Sequence, residues 1–191
     1  MIEYRPFRNS DPPALAQIWR SQPPAWGLMQ PVTPALLDEL VLSKPYFDRN
    51  GLLLAWEAGR AVGFAHACFG PNAARTWLDF EVGATCLLMV AHHPRQSEIA
   101  AELLVRSEEY LAGRGARSLC GGTLDRFSPF YLGLYGGSGS PGVLSSDQVQ
   151  LQAFGAAGYT EDSRGVVLQR ELAGFRPPVD RQLSQWRRQL C

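Results

Sequence analysis

The chain has 191 residues, 46% of them hydrophobic, and its 18 basic side chains balance 18 acidic ones. This composition is typical of one globular domain; it argues against a disordered chain and gives no basic excess for binding nucleic acid. No stretch approaches the roughly 18 apolar residues of a membrane span, and the N-terminus lacks the apolar core of a signal peptide.

The first third of the chain is predicted to form a strand and two helices. IEYRPF alternates like a strand, and in the NSDPPALAQIW that follows, Ser10 or Asp11 is expected to cap a helix whose first turn contains Pro12. A proline-rich loop comes next, and Thr33 and Pro34 then begin a second, short helix. Two helices thus separate the first strand from the strands that follow.

The middle of the chain carries the strongest strand signals. GLLLAWEAGRAVGFAHACF predicts two strands joined at a tight turn of Ala58, Gly59 and Arg60. ATCLLMVA is apolar without alternation, as expected of a central strand that is buried on both faces. A helix is predicted from about Ser97 to Ala112, since apolar residues recur there at helical spacing and glycines follow.

The C-terminal part combines short elements with a long irregular stretch. RSLCGGTL predicts a strand, DQVQLQAFGAA a last helix ending at Gly158, and GVVLQREL a final strand. Strands and helices thus interleave, and we expect an α/β domain with a mixed sheet over residues 1–172.

Residues 173–191 are predicted to form a linker and an amphipathic helix beyond this domain. The apolar stripe of the helix needs a surface to cover: its own domain, a second copy of the chain in a homodimer, or a further domain. The stripe consists of Val179, Leu183, Trp186 and Leu190.

The cysteines give no sign of a metal site or of a disulfide framework. Cys68, Cys86, Cys120 and Cys191 form no C-x-x-C pair, and no histidine stands at metal-ligand spacing from them. We therefore expect reduced thiols, a cytoplasmic location and no bound metal.

Three local patterns occur in a fixed order along the chain. VAHHPRQSEIAAELL joins the central strand to the predicted helix, YLAGRGARSLCGG joins that helix to a strand, and AFGAAGY ends the last helix. Together they resemble the GCN5-related N-acetyltransferase superfamily over roughly residues 2–172. The family's V-x-x-x-x-R-x-x-G-x-G/A-x-x-L-L pattern is matched by Val90, Arg95, Ala100, Leu103 and Leu104.

The resemblance implies a mixed, mostly antiparallel central sheet of six to seven strands flanked by helices, and acetyl-coenzyme A as cofactor. In the family, the pantetheine chain pairs with the backbone of the central strand, here Leu88, Met89 and Val90. The pyrophosphate lies where the next helix begins, because a helix N-terminus offers unpaired N–H donors and about half a positive charge. The residues that the resemblance assigns to this second part are Arg95, Gln96, Ser97, Glu98, Ile99 and Ala100.

Glu98 stands where the family has its first loop glycine, and it weakens the predicted pyrophosphate site. A carboxylate about 4 Å from a phosphate repels it by about 1 kcal/mol in water and by about 4 kcal/mol at an effective dielectric near 20. Arg95 offsets this charge if it pairs with the phosphates or with Glu98 itself. The alternative is a capped helix that holds no ligand, since an acid in the first turn stabilises a helix by about 0.3–1 kcal/mol.

Acetyl transfer to an amine needs a base for the amine and an acid for the leaving thiolate. The family's acid is commonly a tyrosine in the last helix, and Phe154 occupies that position here. Tyr131 and Tyr135, in the glycine-rich stretch before this helix, are the expected substitutes, with aromatic packing in a loop as the alternative. The candidate bases are Glu81 and its neighbour Asp79, with solvated turn residues as the alternative.

These patterns predict an acetyl-coenzyme A-dependent N-acetyltransferase that acetylates an amine of an unidentified small molecule or peptide. The alternative is a catalytically degenerate domain of the same fold that serves as a binding or docking module. Glu98 and Phe154 favour the module, whereas the glycine- and tyrosine-rich stretch favours an enzyme. Neither nucleic acid nor a membrane is expected as a partner.

Overall fold

The computed structural model of the protein describes residues 1–25, 27–122, 129–135, 141–166, 171 and 173–176. Five strands in this part of the chain form one sheet: β1 (Ile2–Pro6), β2 (Leu52–Glu57), β3 (Arg60–Pro71), β4 (Leu78–Val90) and β5 (Ser118–Gly121). The helices are α1 (Pro12–Arg20), α2 (Pro34–Leu37), which continues as a π-helical turn at Asp38–Leu42, α3 (Gln96–Gly113) and α4 (Gln148–Ala156).

The sheet is mixed, and its strands lie side by side in the order of the sequence. Strands β1 to β4 are antiparallel neighbours, and β5 lies parallel to β4 because α3 carries the chain back along the sheet. The predicted hairpin between β2 and β3 is confirmed. Ala58 and Gly59 have φ angles of 48° and 77°, which are the positive values that a tight two-residue turn requires.

Helices cover both faces of the sheet. On the first, which we call the α1 face, Trp19 and Leu37 pack against the strands together with the segment 130–135. On the second, the α3 face, Leu103 of α3 and Phe154 of α4 pack against them. Strand β4 is therefore buried on both sides over its second half, which confirms the prediction of a central strand and explains its apolar sequence.

Of the two predicted caps of α1, Ser10 and Asp11, it is Asp11 that stands at the N-cap position, but its side chain does not cap the helix. Asp11 has φ −88° and ψ −13°, which are helical values, whereas a capping residue needs extended ones to turn its side chain onto the helix amides. Its carboxylate instead accepts hydrogen bonds from the Arg5 guanidinium at 2.7 and 2.9 Å and from the Arg8 amide at 2.7 Å. Thr33 has extended dihedral angles and does cap α2, by accepting the Leu36 amide at 3.2 Å.

The predicted count of six to seven strands is not confirmed, because the described residues form five. The predicted last strand, GVVLQREL, lies largely outside the described residues, and its first two residues are not in a strand. The stripe in the C-terminal tail also lies outside them. No helix in the described part of the chain has both the length and the apolar character needed to cross a membrane.

Candidate active site

A β-bulge interrupts the central strand at Cys86. His66 of β3 is paired with Leu87, and the next residue, Ala67, is paired with Thr85, so Cys86 is an extra residue on β4. A bulge bends its strand and increases the local twist. The second half of β4 consequently takes a new direction relative to the first half.

The pairing between β4 and β5 ends at this bulge. The last paired residues are Thr85 and Gly121, and the Gly122 amide then donates to the Thr85 carbonyl at 3.0 Å. Within the described residues, no strand pairs with β4 on this side from Cys86 to Val90. The two parallel strands therefore part beside the second half of β4.

The main chain of β4 presents polar groups toward this opening. Beyond the bulge, the Ala91 amide donates to the Val62 carbonyl on β3 at 2.8 Å. Successive residues of an antiparallel strand direct their N–H and C=O groups to alternate sides, so Met89 bonds toward β3 while Leu88 and Val90 point away from it. We call the outward N–H and C=O groups of Leu88 and Val90 the β4 edge.

One group of the β4 edge is already occupied. The Val90 carbonyl accepts hydrogen bonds from the side-chain amides of Gln22 at 3.3 Å and Gln96 at 3.0 Å. These two bonds tie α1 and α3 to the end of the strand. The Val90 amide and both main-chain groups of Leu88 remain as the donors and acceptor that the edge can offer to a ligand.

The start of α3 lies directly beyond the β4 edge. The Arg95 amide donates to the His93 ring at 3.0 Å, the Gln96 amide to the His93 carbonyl at 3.1 Å, and the Ile99 amide to the Arg95 carbonyl at 3.0 Å. The amides of Ser97 and Glu98 have no acceptor in the described part of the chain. Of the residues predicted to bind pyrophosphate, these two therefore have amides that can accept a new partner.

The charge of Glu98 is balanced by its neighbour. The Arg95 guanidinium lies 2.8 Å from the Glu98 carboxylate, and both side chains are more than half exposed. An exposed pair of this kind is weak, so it can open and turn the guanidinium toward another anion. Ala100 and Ile99 contribute their side chains to the core of the α3 face.

The two predicted catalytic tyrosines both lie on the α1 face. The Tyr131 ring stacks on Trp19, with the ring centres 5.9 Å apart, and Tyr135 contacts the same indole edge-on at 6.1 Å. The Tyr131 hydroxyl lies 2.9 Å from Nδ1 of His66. Burial raises the pKa of both phenols, so both are protonated and can act only as acids.

Glu81 lies in the first half of β4, one residue before the pairing with β5 begins at Val82. Its side chain is exposed, 3.8 Å from Arg117. Asp79 accepts the Glu81 amide at 2.9 Å, which is a local turn contact. The structure thus does not bring either acid together with the tyrosines.

Phe154 closes the space beside the end of β5. A Cβ on Gly121 would lie 2.9 Å from the Phe154 ring, so the ring rests directly on the backbone of that glycine. Tyr159 packs on the other side of the ring at 5.0 Å between centres. Gly121 is therefore required by a close approach to an aromatic side chain, and Phe154 is a packing residue next to the parted strands.

His66 is a polar residue of the site that the sequence did not single out. Its side chain is 1% exposed and is surrounded by aromatic rings, including Phe130 at 4.6 Å and Phe47 at 5.7 Å. Burial lowers its pKa to about 3, against a smaller opposing effect of the Asp48 charge, so the imidazole is neutral. Its sequence context, GFAHACF, gives only the signal of one polar residue within an apolar strand.

A cleft of about 1110 Å³ opens at the opposite end of β4 from the start of α3. Residues 45–50 and the turn between β3 and β4 at residues 71–78 form its two walls, with several aromatic side chains. Such a volume is sufficient for a small molecule or a short peptide segment. In the described part of the chain no group of three or more His, Cys, Asp or Glu residues is placed to hold a metal ion.

No protein-family model and no curated protein sequence matches this chain. Solved structures do resemble it. A ribosomal-protein-alanine N-acetyltransferase from Brucella melitensis biovar Abortus 2308 superposes with a TM-score of 0.58 at 14% identity, covering 89% of this chain and 99% of that one. The aminoglycoside N-acetyltransferase AAC(6')-Iy, in complex with CoA, gives 0.57 at 14% identity, with 90% and 95% covered.

A third similar structure is the aminoglycoside 6'-N-acetyltransferase AAC(6')-Ih from Acinetobacter baumannii, with a TM-score of 0.55 at 15% identity, covering 90% of this chain and 99% of that one. Identity this low establishes the architecture and not the substrate. The chain therefore has the N-acetyltransferase fold that its sequence patterns predicted.

Proposed function

We propose that this chain, which has the N-acetyltransferase fold, binds acetyl-coenzyme A and transfers its acetyl group to an amine of a small molecule or peptide. The observation that carries the proposal is the continuity of the β4 edge with the start of α3. The edge offers main-chain donors and an acceptor at Leu88 and Val90. The start of α3, which follows directly, offers the amides of Ser97 and Glu98, which have no acceptor in the described residues.

This arrangement fits the chemistry of the coenzyme. Pantetheine carries two amide groups in a row, and a strand edge with alternating N–H and C=O groups is complementary to them. Pyrophosphate is an anion, and the start of an 18-residue helix offers both free amides and a positive dipole end. Arg95 would add a guanidinium once it leaves Glu98.

The acceptor amine and the coenzyme would approach from opposite ends of β4. The cleft lies where β4 begins, the β4 edge lies where it ends, and the bulge at Cys86 lies between them. We assign the acid to Tyr131, because its hydroxyl is buried, protonated and already part of a polar pair with His66 on the face of the sheet beside the bulge. Tyr135 stays the alternative acid, and Glu81 stays the predicted base.

Calorimetry with acetyl-coenzyme A tests whether the chain binds the coenzyme. One substitution tests whether the start of α3 takes part in this binding. Ser97→Pro removes a single main-chain donor and is expected to weaken binding by about 10- to 150-fold, since a hydrogen bond to a charged group contributes about 1.5–3 kcal/mol. Proline is compatible with a first helical turn, as Pro12 and Pro13 of α1 illustrate.

The matched control for this substitution is Ser97→Ala, which removes the hydroxyl and keeps the amide. It should bind like the wild type, and circular dichroism should show unchanged helix content in both variants. Equal affinity of the proline and alanine variants would place the pyrophosphate somewhere else. Absence of any binding to the wild-type chain would refute the function itself.

Glu98 provides a second prediction at the same place. Glu98→Gly removes a like charge and an obstructing side chain and is expected to tighten coenzyme binding by about fivefold or more, which corresponds to about 1 kcal/mol of repulsion. Glycine costs about 1 kcal/mol of helix stability, so the melting temperature is measured in parallel. Glu98→Gln separates the two effects because it removes the charge alone; unchanged or weaker binding in both variants would contradict the geometry.

The second candidate function is a coenzyme-binding or docking module without turnover. Phe154 favours it, because the ring in the family's tyrosine position is buried against Gly121 and carries no proton to donate. Binding of acetyl-coenzyme A without acetyl transfer to any of a panel of amines and peptides, seen as absence of free-thiol release, would support the module over the enzyme.

A further inference from the structure

The hydroxyl of Tyr131 is linked to a buried imidazole that also borders a small cavity. The hydroxyl lies 2.9 Å from Nδ1 of His66, and the two residues are 2% and 1% exposed. His66 lines a cavity of about 20 Å³ together with Asp48 and Phe130. A polar cavity of this volume has room for about one water molecule.

Asp48 connects this cavity with the outside. Asp48 lines both the cavity and the cleft of about 1110 Å³, and its side chain is 32% exposed. The Tyr110 hydroxyl donates to it at 2.8 Å, and the Arg114 guanidinium lies 3.7 Å away, so the carboxylate is held at the boundary between the two spaces. Its charge also acts on His66 directly, since it opposes the effect of burial on the pKa of that imidazole.

Aromatic rings surround the rest of the pair. Trp19 stacks on Tyr131, and Phe47 and Phe130 contact the His66 ring. The Cys68 and Cys86 thiols and the Tyr135 phenol also lie close enough to act on the Tyr131 hydroxyl electrostatically. The described hydrogen bond of this hydroxyl is to the His66 ring, so the imidazole is the direct route by which the phenol can exchange a proton. The phenol itself is held by a backbone with φ 63°, a conformation that non-glycine residues seldom adopt.

We propose that His66 carries protons between Asp48 at the cleft and the hydroxyl of Tyr131. When the Tyr131 O–H bond breaks and its proton leaves, the phenolate oxygen takes the proton from Nδ1 of His66. At the same time Nε2 of the ring takes a proton from water in the cavity, so the ring never carries a charge. That water regains its proton from the cleft past Asp48, where the reacting amine releases one, or from bulk water in the unliganded chain. The ring is neutral before and after, and proton exchange with water restores the first tautomer.

The use of this path in catalysis rests on the proposed function, because the proton that leaves Tyr131 would then go to the thiolate of the coenzyme. The path itself does not depend on it. Exchange of the Tyr131 hydroxyl proton with water can be measured by NMR in the unliganded chain with labelled tyrosine. If Tyr131 and His66 only stabilise the core, the exchange rate of the Tyr131 hydroxyl should not depend on whether residue 66 has a basic nitrogen.

The test compares three substitutions in the full chain. His66→Gln keeps a hydrogen-bonding partner for the phenol but cannot pass a proton through its amide, and it should slow hydroxyl exchange at least about tenfold. Asp48→Asn should also slow it. Asp162→Asn, at an exposed acid outside the path, is the matched control and should leave the rate unchanged.

Unchanged or faster exchange in a folded His66→Gln variant would overturn the proposal, and so would slow exchange in that variant with a normal rate in Asp48→Asn. With an amine acceptor in hand, His66→Gln should lower kcat, change its solvent isotope effect and leave coenzyme affinity as it is. Failure of the wild-type chain to bind acetyl-coenzyme A would refute the proposed function and leave the exchange result standing.

Discussion

Replacing Tyr131 by phenylalanine is expected to lower acetyl transfer by about 10²–10⁴-fold while affinity for acetyl-coenzyme A stays nearly unchanged. The expected loss is large because an acid works only at the moment when the thiolate leaves. Its removal therefore raises the barrier without changing ground-state binding. The measurement is release of free thiol with a working acceptor amine, together with calorimetric binding of the coenzyme.

Tyr135→Phe is the matched control, because Tyr135 is similarly buried and touches the same indole of Trp19. With Tyr131 as the acid, the rate of Tyr135→Phe stays close to that of the wild type, whereas a loss in Tyr135→Phe alone would assign the acid to Tyr135. Tyr131→Phe also leaves Nδ1 of His66 without its partner, at a cost of about 1–3 kcal/mol in the free energy of unfolding, so urea unfolding is measured alongside. If both variants keep the full rate, neither phenol is the acid, and solvent must protonate the thiolate.

Replacing Asp11 by alanine is expected to reduce the free energy of unfolding by about 3–5 kcal/mol. The carboxylate is 2% exposed and accepts two hydrogen bonds from Arg5, whose own side chain is 13% exposed. The substitution leaves that guanidinium largely buried without its counter-charge, and it also removes the acceptor of the Arg8 amide. The measurement is urea unfolding at neutral pH.

Glu161→Ala is the control for this substitution, because Glu161 pairs with Arg164 in solvent and such a pair contributes little to the free energy of unfolding. A loss at Asp11 no larger than the loss at Glu161 would contradict the assignment of a structural ion pair. The comparison holds the chemistry constant, since each variant loses one carboxylate paired with one arginine.

The same ion pair predicts how stability depends on pH. Burial opposes ionisation of Asp11, but the hydrogen bonds from Arg5 and Arg8 outweigh it and lower the pKa of the carboxyl in the folded chain. A lowered pKa stabilises the fold at pH values above about 3.9, the pKa of the carboxyl in the unfolded chain. This contribution is lost as the pH falls through the lower pKa of the carboxyl in the folded chain. Asp11→Ala should lack that part of the acid transition.

The main elements of the fold could be predicted because their signals are local. Ala58 and Gly59 mark a hairpin turn, and the apolar run before Val90 marks a central strand. In the helix that begins near Ser97, apolar residues recur at helical spacing. Each of these signals depends on residues within about one turn or one strand, where backbone preference and periodicity act.

Asp11 shows where local reasoning stops. Its position before two prolines is that of a helix cap, but its actual partner is Arg5, on a strand six residues earlier. The choice between the two was made by burial, because an enclosed guanidinium needs a carboxylate more than an exposed helix amide needs a cap. Which partner a polar side chain binds depends on distances in the folded chain, and these distances cannot be read from the sequence.

The sequence by itself determined the order of the elements, the apolar centre of the sheet and the family that the chain resembles. Only the tertiary structure decided that Cys86 is an extra residue in β4 and that β4 and β5 part after Thr85. It also brought Tyr131 to His66, 65 positions earlier in the chain. The reason is that strand register and long-range contacts are set by packing over the whole core, whereas propensity and periodicity act over a few residues.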